Sequence, residues 1–165
     1  MKLLILLVIF ILTAYSSYGQ IRTDEINLKF THWLRIPNHE IIIDVIYVID
    51  RDTVLMHVQS NPMNDEPSWL HTKVDTTYRI NKQQFKTLKE TVQSISLEDM
   101  KKAMLGSGTD GTLCELGFGD RQNKVTFQVW TPDYDIKERG LEKYMEACEM
   151  MLKMAKFKPK KNILI

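Results

Sequence analysis

The sequence is short of most features that announce a function. It has two cysteines, no surplus of either charge, no apolar run of bilayer-spanning length and none of the compact active-site signatures. Each shortage excludes something. With 22 Lys and Arg against 21 Asp and Glu, no net field draws in nucleic acid or an anionic membrane over long range, so nucleic acid is not an expected partner. The cysteines form no C-x-x-C, which removes the usual redox-catalytic motif. His32, His39, His57 and His71 lie at no helical three- or four-residue spacing, so an H-E-x-x-H zinc site is absent and neither a metal nor a cofactor is expected. The run from Gly106 to Gly111 lacks the lysine of a phosphate loop and reads as a connecting turn, and Ser107 lacks the flanking glycines of a nucleophile elbow. Asp50 with Asp52 and Asp133 with Asp135 lack the glycine and distal glutamate of a calcium loop; they read as turn and helix-cap residues. No N-x-S/T sequon occurs, which fits a bacterial envelope or secreted protein.

What is present begins with an export signal. Met1 and Lys2 give a positive start, Leu3 to Leu12 an apolar core, and Thr13 to Gly19 a small, polar end. A membrane-crossing helix needs about 20 apolar residues, so cleavage is expected instead of a permanent anchor. Ser17 and Gly19 suit the −3 and −1 positions, which makes residues 1–19 a cleavable signal peptide and 20–165 one exported domain, in the periplasm or outside the cell, with no transmembrane segment after cleavage. A chain of that size buries roughly 70% of its unfolded surface. Lys156, Lys158, Lys160 and Lys161 precede the apolar Ile163, Leu164 and Ile165; that tail reads as a solvated or strand-like end, with contact to acidic lipid as the other reading.

Period-two alternation marks the strands. Ile26, Leu28, Phe30 and Leu34 share one phase. Ile41 to Gln59 reads as a hairpin turning at Asp50, Arg51 and Asp52, with Ile49 opposite Val54, Tyr47 opposite Met56 and Val45 opposite Val58. Its other face, Asp44, Ile46, Val48, Leu55, His57 and Gln59, is too apolar to be freely solvated. A long loop from Ser60 to His71 carries Trp69, and Thr72 to Ile80 alternates again. Asn81 caps a helix with Gln84 reaching back, and Phe85, Leu88, Val92 and Ile95 form its stripe. Ser96 and Asp99 open a short helical turn. A second hairpin pairs Phe118 with Val125, Leu116 with Phe127 and Cys114 with Val129, leaving Leu113 and Trp130 on the far side. Asp135 with Glu138 is the expected cap of a last helix whose stripe is Leu141, Met145, Cys148, Leu152 and Ala155, widened by Tyr144 and Met151. The predicted fold is α+β: a curved antiparallel sheet of about six strands with two amphipathic helices packed on one face, in the order ββββαββα.

Cys114 and Cys148 both fall in the apolar phase of their elements. Two outcomes are open: a structural disulfide, or two buried thiols that fill space. His32 and His57, read as lying off the apolar phase, are candidates to converge across adjacent strands. Trp33, Trp69 and Trp130 lie outside the predicted cores, either as interface aromatics or as covers for sheet edges.

Asp110-Gly111-Thr112, Trp130-Thr131-Pro132 and the closing amphipathic helix resemble a pattern in small uncharacterised secreted proteins of Gram-negative bacteria. The likeness covers the last third of the chain and implies export without implying an activity. The first functional expectation is a non-enzymatic protein that binds an envelope protein or a small ligand through Ile46, Val48, Leu55, His57 and the loop around Trp69. The alternative is a periplasmic hydrolase with a dispersed carboxylate and histidine site, such as His57 with Asp44.

Overall fold

A computed structural model describes residues 23–32, 39–61, 73–103 and 111–157. Residues 1–19, the expected signal peptide, lie outside the described residues, as do Trp33, Trp69 and its loop, Gly106 to Asp110, and Lys158, Lys160 and Lys161. The strands are β1 Glu25–His32, β2 Glu40–Val48, β3 Thr53–Asn61, β4 Val74–Ile80, β5 Thr112–Gly119 and β6 Lys124–Trp130. The helices are α1 Lys82–Gln93, α2 Leu97–Ala103 and α3 Glu142–Met154. The strands form one unclosed sheet in the order β4-β3-β2-β1-β5-β6, every neighbour antiparallel, so the α+β expectation holds. The chain reaches one edge at β4 and returns through α1 and α2 to add β5 on the other side of β1.

The alternation explains the layers. Side chains two apart share a face, so Ile26, Leu28 and Phe30 on β1 and Ile41, Ile43 and Val45 on β2 all point inward and are fully buried. Val54, Met56 and Val58, then Cys114, Leu116 and Phe118, extend that face across the sheet. Helix α1 adds Phe85, Leu88 and Val92, α2 adds Met100 and Ala103, and α3 adds Tyr144, Met145, Cys148, Met151 and Leu152. All of them join one apolar cluster, and α1 also packs on α3. Tyr144 donates its hydroxyl to the Cys114 carbonyl at 2.7 Å and Tyr78 to the Met154 carbonyl at 2.9 Å, which fastens α3 to β5 and to β4.

Local signals decide the boundaries. The expected capping box forms: Asn81 Oδ1 accepts from the Gln83 amide at 2.7 Å, and Gln84 Oε1 accepts from the Asn81 amide at 3.1 Å. Ser96 Oγ accepts from the Asp99 amide at the start of α2. The second hairpin has the expected register, Cys114 with Val129, Leu116 with Phe127 and Phe118 with Val125.

Two expectations are corrected. In the first hairpin Tyr47 faces Val54, Val45 faces Met56 and Val48 faces Thr53, a slip of two residues from the predicted pairing. A two-residue slip keeps every side chain on its own face, so burial cannot choose between the registers. The turn chooses: Ile49–Arg51 is a single 3-10 turn and Asp52 takes the left-handed conformation, φ 46 and ψ 45, which aspartate tolerates. The last helix does not begin at Asp135. It begins at Glu142, with Leu141 as an N-cap that lacks a side-chain hydrogen bond, because Asp135 and Gly140 both take positive φ and break any helix between them.

Candidate functional site

The face of the sheet opposite the core carries the residues singled out from sequence. Across β4, β3, β2 and β1 the register sets Arg79, Leu55, Ile46 and Glu25 in one row and Thr77, His57, Asp44 and Asn27 in the next. Ile46 is 41% exposed in the middle of the first row, Leu55 beside it and Val48 two residues on are half-buried, and Ile49 at the turn is 51% exposed. The tip of the hairpin is therefore aliphatic, flanked by Glu25 on one side and Arg79 on the other. Solvated antiparallel faces alternate to polar residues, and this one does not at its tip. Trp69, the aromatic expected beside it, lies outside the described residues.

One row away, His57 is held between two carboxylates. Its Nε2 is 2.9 Å from Asp75 Oδ1 and its Nδ1 4.0 Å from Asp44 Oδ2. Gln59 donates to the second Asp75 oxygen at 3.4 Å. The hydrogen bond from His57, then that from Gln59, holds the Asp75 carboxyl below its ordinary range. Sequence alone pairs His57 with Asp44; the closer partner is Asp75, which lies on the same face two residues from the directly opposed Thr77 and is recognisable only from the β3–β4 register. His57 and His32 do not converge. His32 shares the inward phase of Phe30 and exchanges hydrogen bonds with His39, while His57 points outward two strands away.

Further along this face Lys29 Nζ lies 2.8 Å from Glu40 Oε1, and Asn61 donates to Glu40 Oε2 at 3.1 Å. The contact with Lys29 is the main reason the Glu40 carboxyl titrates below its ordinary range, and it raises Lys29 in turn. Gly117 completes the lattice, since a Cβ there would stand 2.3 Å from Asn27 Oδ1. Trp130 takes the outward side as expected, opposite Leu113, with its indole over Gly111.

At the turn end of the first hairpin, on the inner side of the sheet, a cleft of about 310 Å³ opens toward α1. Tyr47 and Phe85 stack in its wall, ring centres 5.9 Å apart, and Lys82, Lys86 and Lys89 rim it. Tyr47 donates to Asp52 Oδ1 at 2.7 Å and Lys82 pairs with the other Asp52 oxygen, so Asp50 and Asp52 belong to the turn, as the sequence predicts, and the Asp52 carboxylate is already committed. Asp44, His57 and Asp75 do not line this cleft.

No protein-family model matches the chain, and no curated protein does. The geometry therefore carries the functional argument alone. Among the described residues, no group of three or more His, Cys, Asp and Glu side chains is placed to hold a metal ion, and no helix is long and apolar enough to cross a membrane.

Two arrangements were not read from sequence. Cys114 and Cys148 were placed on facing elements, and their Sγ atoms stand 3.7 Å apart as fully buried thiols. That Tyr144, one turn before Cys148, closes over the pair was not anticipated. Arg139 was missed altogether. Its guanidinium donates to the carbonyls of Thr131 at 2.8 Å, Tyr134 at 3.0 Å, Trp130 at 3.0 Å and Ala103 at 3.1 Å, joining the end of β6, the following turns and the C-terminus of α2. Gly140 following Arg139 was the available signal of a turn there.

Proposed function

We propose that this is an exported, non-enzymatic binding protein that docks an envelope protein on the outer sheet face at the tip of the first hairpin. The observation that carries the reading is Ile46, 41% exposed beside Leu55 and Val48, with Glu25 and Arg79 at its flanks. An apolar centre with a charged rim is the composition of a protein interface. A partner protein suits it better than a small ligand, which favours a concave site, whereas this face is an open sheet. The His57, Asp44 and Asp75 cluster supplies hydrogen-bonding groups one row from the apolar centre. Export rests on the order of the first 19 residues, a positive start, an apolar run and a small polar end.

A hydrolase centred on His57 and Asp44 is the second reading, drawn from the same cluster. It is the weaker one because those groups sit on the open face, away from the described cleft, and a reaction needs groups that converge on an enclosed substrate.

The test compares residues 20–165 with the Ile46→Lys/Leu55→Thr double variant, both immobilised and exposed to envelope extract. Both substitutions keep side chains that strands accept, and Lys at 46 faces Glu25 across the β1–β2 ladder. A partner retained by the parent and lost from a variant of unchanged Tm supports the proposal. Equal retention by both places binding elsewhere.

A further inference from the structure

Cys114 lies on β5 and Cys148 on α3, 34 residues apart in sequence, and their Sγ atoms approach to 3.7 Å in the core, where both residues are fully buried. They are the chain's only cysteines. Tyr144 lies one helical turn before Cys148 and is itself fully buried, and its hydroxyl is spent on the Cys114 carbonyl. That bond holds the helix at the point on β5 where the two sulfurs face each other. A disulfide requires the sulfurs to close to about 2.0 Å, an approach that two side chains make without moving either element far.

We propose that Cys114 and Cys148 form a disulfide whose formation is gated by folding: the bond closes while α3 is docking on the sheet and is inaccessible afterwards. Two thiols lose two protons and two electrons, one Sγ–Sγ bond forms, and an exchangeable small-molecule disulfide or a thiol oxidase of an oxidising compartment takes the electron pair and is reduced to two thiols. The exchange passes through a thiolate that attacks the external disulfide. In the finished fold neither sulfur meets solvent, and burial, followed by the contact with Cys114, pushes the Cys148 thiol up, so the attacking species is suppressed. The redox state of the pair thus records the compartment in which the chain folded. A chain folded under reducing conditions keeps two thiols and stays that way.

The experiment refolds residues 20–165 from denaturant either with glutathione disulfide or with excess dithiothreitol. Samples are then alkylated in denaturant and weighed intact. The oxidised sample takes up no alkyl group and the reduced sample takes up two. The bonded protein melts roughly 10 °C higher, because a cross-link over a long loop restricts the unfolded chain. Protein already folded in dithiothreitol, desalted and given the same glutathione disulfide, oxidises at least about 100-fold more slowly than the unfolded chain does. Free thiols after oxidative refolding overturn the bond, and a Tm independent of oxidation state overturns its stabilising effect. Equal oxidation rates for folded and unfolded protein overturn the gating. In Cys148→Ala, compared with itself under both conditions so that any packing loss cancels, oxidant leaves Tm unchanged.

Discussion

Arg139 offers the sharpest energetic test of how the non-helical segment before α3 is held. Its guanidinium satisfies four carbonyls contributed by β6, the turns after it and α2. The bond to Tyr134 is solvent-exposed, so water replaces it at little cost; the bonds to Thr131, Trp130 and Ala103 are partly buried, and water does so poorly. At about 1 kcal/mol for each partly buried bond, Arg139→Ala costs about 3 kcal/mol. That corresponds to a Tm lower by about 6 to 12 °C for a chain of this size. Urea titration followed by tryptophan fluorescence reads the change directly, as a lower midpoint with an unaltered slope. Arg139→Lys keeps the charge but concentrates its donors at one atom, which cannot reach three segments at once, so it recovers less than half of the loss. A cost below about 0.5 kcal/mol for the alanine variant, the range of an ordinary surface change, refutes the reasoning. So does full recovery by lysine, which would mean that charge alone matters.

The remaining predictions concern the cap and the acid limit of stability. Asn81→Ala removes the side-chain acceptor at the start of α1 and costs about 1 kcal/mol in urea denaturation, whereas Asn81→Asp keeps it; equal stability of all three proteins contradicts the capping account. Glu40, Asp52 and Asp75 all titrate below their ordinary range in the folded protein, chiefly through Lys29, Lys82 and His57 respectively. The unfolded chain therefore takes up protons first as pH falls. Their contribution is complete above about pH 5 and is lost as pH drops through about 4 toward the lower folded values. Midpoints measured from pH 7 to 2 follow that course, and Glu40→Gln shows a flatter acid limb; a parallel limb contradicts the role assigned to the Lys29 pair.

The architecture was legible because burial is periodic. The alternation in Ile26, Leu28 and Phe30 and the stripe of Phe85, Leu88 and Val92 each placed a face without any knowledge of neighbours. The second hairpin was also legible in register. Its turn is closed by Asp120, whose Oδ1 accepts from the Gln122 and Asn123 amides at 2.8 Å, a local arrangement that leaves little freedom. The first hairpin was not, because registers two residues apart bury the same side chains, and only the conformation of Asp52 separates them. Contacts that join distant segments stayed invisible for a related reason. Asp75 reaches His57, and Arg139 reaches Ala103, only once the strand order and the path of the chain are fixed. The site was legible as an apolar outward face, since Ile46, Val48 and Leu55 break the polar half of the alternation. Its charged surroundings come from two other strands and were not.

The hairpin tip is the proposed docking surface. The most direct measurement is photo-crosslinking in envelope extract from a reactive amino acid placed at Ile46, compared with one at Thr126. Thr126 is exposed on the same face, three strands away, roughly 14 Å across the sheet. A discrete adduct from position 46, absent or much weaker from position 126, is the predicted result. No adduct from position 46, or the same adduct from both positions with equal yield, would contradict it.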